Sequence, residues 1–371
     1  MRYMTRAHLN RSRAAWPTGA TGYKENLFMF NLNIRKGFPA KARTRVGLDI
    51  GRYAVKLLEA QTQGGRSFLT RIGMKKLSDP SRETLVDSVK SLSEELKLST
   101  KDVNISVSGP STIVRFVSMP KMREDELKGA IKFEAEEHIP FAIEDCVIDY
   151  QVLKKDEKDN KIELLLVAAK KAFIMEKLAA VEECGFSVNL IDVDPFAAAN
   201  SFLSNFSDYD AAKSAAVLNI GANITNVSVI RGGTLCFCRD VAVGGADFTA
   251  AVSKSLNIDL KTAEDIKLAP AARLQDVANA AKNTLNSFFD ELRLSFSYYE
   301  NQSGRPIDEV YACGGSSLQA GMESAFVEAF ELKLLLWDPL QFFDNSKLTQ
   351  GAEAAKATSR YFAVAAGLAI R

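Results

Sequence analysis

Residues 45–60 read RVGLDIGRYAVKLLEA, an apolar run that ends in Asp-Ile-Gly and is followed by a second apolar run. Two such runs on either side of a glycine predict a β-hairpin. A third apolar run begins after Gly64-Gly65, so the segment predicts a three-stranded meander. The predicted hairpin carries Asp49 and Gly51 at its tip and Lys56 in the returning strand.

A second stretch repeats this pattern in the other half of the chain. Residues 215–241 read AAVLNIGANITNVSVIRGGTLCFCRDV, with Asn-Ile-Gly at the first turn and Gly-Gly at the second. Such an internal repeat predicts two related halves that face a cleft. Further on, residues 308–322 read DEVYACGGSSLQAGM, a strand that runs into a helix through two glycines. Backbone N–H groups at that position can approach an anion.

The segment between the repeats predicts a separate α+β unit. Strands are expected on both sides of Gly109-Pro110, followed by a helix that stops before Pro140, a hairpin and a helix that ends at Gly185. An amphipathic helix with Leu85, Val89, Leu92 and Leu96 at helical spacing precedes them. We therefore divide the chain into a leader at 1–44, a first half at 45–103 and 190–213, an inserted unit at 104–189 and a second half at 214–371.

Composition excludes several classes of protein. The chain has 371 residues, of which 47% are hydrophobic and 25% charged, typical of a folded protein of two or three domains. Its net charge of +1 gives no overall field that favours nucleic acid or an anionic membrane. No run approaches the roughly 18 apolar residues of a membrane span. We expect a cytoplasmic protein that binds no nucleic acid.

The leader is expected to be disordered. Ten basic residues and one acid lie within residues 1–45, and no apolar periodicity accompanies them. Residues 1–28 precede Met29-Phe30 and are predicted to be dispensable. The alternative is a basic arm that adds weak attraction to an anionic membrane surface.

Cysteine and histidine usage favours neither a metal centre nor a histidine-based catalytic triad. The odd number of cysteines, five, favours reduced residues in the core, and Cys236 and Cys238 lack a second pair that would complete a zinc site. Two histidines occur, His8 and His138, and His138 is predicted to end a helix.

Both hairpins and the Gly-Gly loop resemble those of the actin-like ATPase superfamily. Residues 107–141, VSGPSTIVRFVSMPKMREDELKGAIKFEAEEHIPF, are similar to the PilM family of type IV pilus assembly within it, and the likeness extends from Met29 to Arg371. The resemblance implies an α/β, actin-like ATPase fold with two related α/β halves around a nucleotide cleft and an inserted α+β subdomain of FtsA/PilM type. It also implies that the C-terminal helix of the second half returns to the first half.

The resemblance also implies ATP and Mg²⁺ as cofactors. A tight turn offers N–H groups to phosphates, while a carboxylate orients the water shell of the metal. Asp49 would hold the water shell of the metal and is one of two expected catalytic residues. Asp194 is the other and would orient the attacking water; packing or helix capping is an equal alternative for Asp194. The other expected nucleotide-binding residues are Gly51, Arg52, Tyr53, Lys56, Asn219, Gly221, Asn223, Gly244, Gly245, Glu264, Lys267, Gly314, Gly315 and Ser316. A plain turn at Gly244-Gly245 and a solvated helix face at Glu264 and Lys267 remain alternatives.

Two departures from the family pattern favour nucleotide binding over hydrolysis. Arg52 and Tyr53 stand where small hydroxyl residues are usual, and Asn219 stands where an aspartate is usual. Loss of a charged group that positions the metal commonly costs orders of magnitude in rate. We expect weak or absent ATPase activity.

By resemblance, the chain is a scaffold of the pilus inner-membrane platform. Its expected partners are the N-terminal cytoplasmic tail of PilN, bound at the inserted unit, and other platform proteins, with self-association left open; the membrane is reached through partners. Alternatives are an FtsA-like cell-division filament protein, a component of a related type II secretion system, and a sugar kinase. FtsA-like proteins end in an amphipathic helix, whereas GLAIR falls within the expected last helix of the fold.

Overall fold

The computed structural model describes residues 43–156 and 159–371. The predicted disorder of the leader therefore lies almost entirely outside the described residues. The strands are β1 Arg43–Ile50, β2 Ala54–Gln63, β3 Arg66–Lys76, β4 Asp102–Val107, β5 Thr112–Pro120, β6 Cys146–Asp156, β7 Lys161–Lys170, β8 Ser187–Val193, β9 Ser214–Ile220, β10 Thr225–Arg231, β11 Thr234–Val241, β12 Glu309–Cys313 and β13 Leu334–Leu336. The α-helices are α1 Arg82–Leu96, α2 Glu124–His138, α3 Lys171–Glu183, α4 Asp194–Asn205, α5 Gly245–Leu256, α6 Leu260–Leu268, α7 Leu274–Ser303, α8 Met322–Phe330, α9 Ala352–Thr358 and α10 Ala363–Ala369.

Two five-stranded sheets share one topology. Their strand orders are β3-β2-β1-β4-β8 and β11-β10-β9-β12-β13. In each, an antiparallel meander is followed by two strands that pair in parallel. The internal repeat predicted from the sequence is thus confirmed as a repeat of fold.

The two meanders also match at their turns. The Gly51 N–H donates to the Ala54 carbonyl at 3.1 Å, and the Gly221 N–H donates to the Ile224 carbonyl at 3.0 Å. Asp49 pairs with Lys56 across the first hairpin, and Asn219 pairs with Asn226 at the same register of the second. The two tips are therefore equivalent backbone frames with different side chains.

Small residues let the last helix approach the first sheet closely. A Cβ atom on Gly47 of β1 would lie 2.1 Å from the carbonyl oxygen of Ala365. A Cβ atom on Gly367 would lie 1.8 Å from the carbonyl oxygen of Ala197 on α4. The alanine-rich α10 is fully buried, so it belongs to the core of the first half.

Aromatic side chains fill the core of the second half. Phe248 of α5, Phe288 and Phe289 of α7, and Phe326 of α8 are each at most 1% exposed and pack with the inner face of the sheet. Burial of side chains this large is the main stabilising contribution in such a core.

Residues 111–175 form a compact unit of their own. Its antiparallel sheet has the order β5-β7-β6, and Leu127, Ile131 and Ala135 of α2 pack in its core. The helix ends at His138, as predicted. The predicted bounds of 104–189 are wrong because β4 and β8, which looked like members of this unit, pair with each other in the first five-stranded sheet.

No membrane-spanning helix is found within the described residues. Each helix there is too short or too polar to cross a lipid bilayer. Four of the five cysteines are buried, and Cys236 is partly exposed.

Candidate functional site

The first hairpin tip carries a buried ion pair. Asp49 is 7% exposed, and the Lys56 ammonium donates to its Oδ2 at 2.9 Å across the strands. Burial raises the pKa of Asp49, while the charge of Lys56 acts in the opposite direction. Lys56, which the sequence placed in the strand beyond the loop, therefore contacts the Asp49 carboxylate directly.

A second carboxylate lies where β8 passes into α4. The Ser108 hydroxyl, just beyond β4, donates to Asp194 Oδ2 at 2.5 Å. The charge of Asp194 is close enough to that of Asp49 to contribute to raising the pKa of Asp49. Since β4 lies between β1 and β8 and pairs in parallel with both, the predicted metal and water residues lie at the same carboxyl edge of the first sheet.

The second hairpin carries a chain of hydrogen bonds in place of an ion pair. Asn219 Nδ2 donates to Asn226 Oδ1 at 3.0 Å, and Asn226 Nδ2 donates to Asp240 Oδ1 at 2.7 Å. The Gly109 N–H donates to the other oxygen of Asp240 at 2.9 Å. Asp240 therefore joins the second sheet to the loop after β4, and burial raises its pKa.

Gly244 and Gly245 lie against the second hairpin. The Gly245 N–H donates to the Gly221 carbonyl at 2.9 Å, and the Ser316 hydroxyl donates to the same carbonyl at 3.0 Å. A Cβ on Gly244 would lie 2.6 Å from the carbonyl of Ala222. The absence of side chains on both glycines thus permits this close packing, and Gly244 is the residue before α5 rather than part of a plain turn.

Glu264 and Lys267 form a pair that is directed inward. Their side chains approach to 2.7 Å and are 25% and 8% exposed. Lys267 also donates to the Gly245 carbonyl at 2.9 Å and to the Thr249 hydroxyl at 2.7 Å. The alternative of a solvated helix face is therefore wrong for these two residues.

The Gly-Gly loop packs against a tyrosine that the sequence did not point to. Gly314 has a φ of 90°, and its N–H donates to the Arg360 carbonyl at 2.8 Å. A Cβ on Gly315 would lie 2.4 Å from the Tyr361 ring, and that ring stacks on Tyr53 with centroids 6.5 Å apart. Tyr361 therefore covers one face of this loop, which the resemblance assigned to nucleotide binding.

The structure gathers most predicted residues into one region. Arg52 and Asn223 differ from the others because both are exposed at the hairpin tips. Sequence reasoning missed Lys177, Asp240 and Tyr361. Lys177 and Tyr361 come to the site from distant parts of the chain, and nothing in their local patterns marks them. Asp240 lies opposite Asn226 in the predicted meander, so the register of that hairpin was the signal that could have found it.

The residues at the carboxyl edge fit a phosphate chain with a divalent cation. Two ammonium groups and two carboxylates lie beside the hairpin backbone, a donor set that suits phosphate oxygens and hydrated Mg²⁺. Within the described residues, no three acidic, histidine or cysteine side chains converge tightly enough to hold a metal themselves. Mg²⁺ would thus need phosphate oxygens and water to complete its shell.

Two repeated halves with paired hairpins and an inserted α+β unit define an actin-like ATPase fold. The sequence model of the family described as type IV pilus assembly protein PilM matches residues 47–371. A solved structure described as the PilM-PilN type IV pilus biogenesis complex is 26% identical, with a TM-score of 0.79, and the match covers 88% of this chain and 98% of that one. The chain therefore belongs to the PilM family of type IV pilus assembly proteins.

More distant relatives share the fold. The cell division protein FtsA of Streptococcus pneumoniae serotype 2 (strain D39) is 24% identical over 252 residues, which cover 60% of this chain and 54% of FtsA. The chain thus spans about half the length of that curated relative. The structure of the ethanolamine utilization protein EutJ from Carboxydothermus hydrogenoformans is 12% identical with a TM-score of 0.52, covering 91% of this chain and 94% of that one.

Proposed function

We propose that the chain is a cytoplasmic, nucleotide-binding scaffold of the type IV pilus inner-membrane platform. The observation that carries the proposal is the cluster at the first hairpin, where Asp49, Lys56 and Asp194 meet beside a backbone turn. Membership of the PilM family supports the pilus assignment. The proposed ligand is ATP with Mg²⁺.

Each part of the site has a distinct proposed role. The hairpin N–H groups and the Lys56 ammonium would bind phosphate oxygens, and Asp49 would hold the water shell of the metal. Asp194, fixed by Ser108, would orient a water molecule. Bound Mg²⁺ would supply charge neutralisation of the phosphates.

Slow hydrolysis or none is proposed for the same site. The position equivalent to Asp49 in the second hairpin is Asn219, whose amide donates to Asn226. An amide carries no charge toward a cation, so one of the two anionic groups expected around the metal is missing. Binding depends on many contacts and tolerates this loss better than hydrolysis does.

Calorimetry on the full chain tests the nucleotide site. Wild type should release heat with Mg·ATP and with Mg·ADP. Asp49→Asn keeps the side-chain shape but removes the charge, so it should weaken Mg·ATP binding about tenfold or more while ATP without Mg²⁺ changes little. Asp87→Asn, on the exposed face of α1, is the matched control and should bind as wild type does. No heat from wild type at millimolar ligand would refute the proposal.

The proposed protein partner is the N-terminal cytoplasmic tail of PilN, bound at the unit formed by residues 111–175. The likeness to a PilM structure solved as a complex with PilN supports this pairing. An extended tail typically binds through backbone hydrogen bonds and apolar pockets. Recruitment by such a tail would place the chain at the inner face of the cytoplasmic membrane.

A labelled synthetic peptide tests the partner. Fluorescence polarisation should show saturable binding of the first residues of the PilN encoded in the same genome, and a peptide of scrambled order should not bind. A photo-reactive residue in the peptide should then label residues 111–175. Labelling confined to residues 214–371 would contradict the proposed location, and equal binding of the scrambled peptide would contradict the pairing.

A further inference from the structure

Lys177 lies among the carboxylates at the carboxyl edge of the first sheet. It is on α3, and its ammonium donates to the Ser106 carbonyl of β4 at 2.6 Å. Because β4 lies between β1 and β8, this carbonyl stands between the strand that ends near Asp49 and the strand that leads into Asp194. The ammonium is therefore placed centrally among the candidate metal and water residues.

Three charged groups act on the Lys177 ammonium. Burial lowers its pKa, the charges of Asp194 and Asp49 raise it, and Lys56 lowers it. Asp49 already receives the Lys56 ammonium at 2.9 Å, and Asp194 receives the Ser108 hydroxyl at 2.5 Å. Lys177 is thus held near both carboxylates while its hydrogen bond within the described residues goes to a neutral carbonyl.

Fold stability alone does not explain a lysine at this position. Burying an ammonium is costly unless it is paired and hydrogen-bonded. The Ser106 carbonyl accepts from one of the three N–H donors of the Lys177 ammonium. A methionine of similar length would fill the same space without that cost, so the charge is better explained by a ligand.

The chemistry of the surrounding groups indicates which ligand atoms Lys177 faces. Asp49 and Asp194 are the candidates for the metal and the attacking water, and both functions belong at the terminal phosphate. The second hairpin supplies no ammonium there, because Asn219 and Asn226 bond to each other. A lysine stem is flexible enough to move its ammonium from a carbonyl to a nearby phosphate.

We propose that Lys177 contacts the terminal phosphate of the bound nucleotide and makes the site prefer ATP over ADP. This inference rests on the proposed nucleotide site. Removing a hydrogen bond to a charged group should weaken binding about ten- to a hundredfold. ADP lacks the contacted group, so its affinity should change much less.

Calorimetry with Mg·ATP and Mg·ADP on the full chain tests this assignment. Lys177→Met should lose most of the preference for ATP, with ADP affinity within about threefold of wild type. Lys177→Arg keeps the positive charge and should retain part of the preference. Lys254→Met, on the exposed face of α5, is the matched control and should leave both affinities unchanged.

The outcomes separate this inference from the proposed function. A wild type that binds neither nucleotide overturns both. A wild type that prefers ATP, together with a folded Lys177→Met that keeps this preference, overturns the role of Lys177 alone. An equal loss of affinity for ATP and ADP would overturn the inference and assign Lys177 to structural neutralisation of the two carboxylates. If Lys177→Met fails to fold, the ratio of ATP to ADP affinity in Lys177→Arg is the test, because a ratio unchanged from wild type would overturn the contact.

Discussion

Replacing Asn219 with aspartate gives the second hairpin the residue that the first carries at Asp49, but the surroundings differ. Asn219 now donates its amide to Asn226 Oδ1 at 3.0 Å. Asn226 cannot turn its own amide to compensate, because its Nδ2 donates to Asp240 at 2.7 Å, and an ionised carboxylate has acceptors but no donor to offer the Asn226 oxygen. A carboxylate at position 219 would therefore face an oxygen.

The expected cost is set by one lost donor in a buried network. Asn226 is 4% exposed, so its unmatched oxygen would be shielded from water. An unsatisfied buried acceptor costs about 1–3 kcal/mol. At pH 7 we expect Asn219→Asp to lower the free energy of unfolding by about 2 kcal/mol, which corresponds to a fall in Tm of about 3 °C for a chain of this length.

The penalty should depend on pH in a definite direction. Burial and the nearby Asp240 raise the folded-state pKa of a carboxyl at position 219 above its unfolded value. Such a group destabilises the fold when ionised, so the penalty is present at pH 7 and shrinks as pH falls toward about 4.5. Protonation also restores a donor toward Asn226.

Thermal unfolding of the full chain at both pH values measures the effect. Asn223→Asp is the matched control, because it makes the same chemical change at the exposed tip of the same hairpin, and it should shift stability by less than about 0.5 kcal/mol. Equal Tm values for the two variants at pH 7 would refute the directional chain from Asn219 to Asp240.

Three further variants test other parts of the structure by the same melts. Gly315→Val should lower the free energy of unfolding by about 1–3 kcal/mol, since its Cβ would lie 2.4 Å from the Tyr361 ring. Adding Tyr361→Ala to the same chain should recover part of this loss, and additive effects of the two substitutions would contradict the contact. Burial raises the pKa of Glu59, but the hydrogen bonds from Ser99 and Thr70 outweigh burial, so the pKa is lowered overall. Glu59→Gln should therefore lower the free energy of unfolding by about 2 kcal/mol at pH 7 and by less as pH falls below about 4, and a pH-independent cost would be inconsistent with this. Gly129→Ala should stabilise by about 0.5–1 kcal/mol, because nothing lies within 4 Å of the added Cβ on the exposed face of α2, and a loss of stability would show an unrecognised contact.

Local patterns were sufficient for the strands, the hairpins and most of the helices. The turn glycines and the apolar runs around them fix each meander, because a hairpin pairs neighbouring residues and its turn sets the register. The equivalence of Asp49 and Asn219 could therefore be read directly, and the strand pairing confirms it. The same patterns could not predict which sheet β4 and β8 join, because an apolar run indicates a buried strand but not the strand with which it pairs.

The sequence by itself determined the actin-like fold, the PilM resemblance and the two hairpin tips. Only the tertiary structure decided which distant side chains meet there. The Ser108 bond to Asp194 spans 86 residues, and the Gly109 bond to Asp240 spans 131. Lys177 and Tyr361 likewise reach the site from a helix and a terminal segment with no motif of their own. Such contacts depend on the path of the whole chain, whereas a hairpin depends on its own few residues.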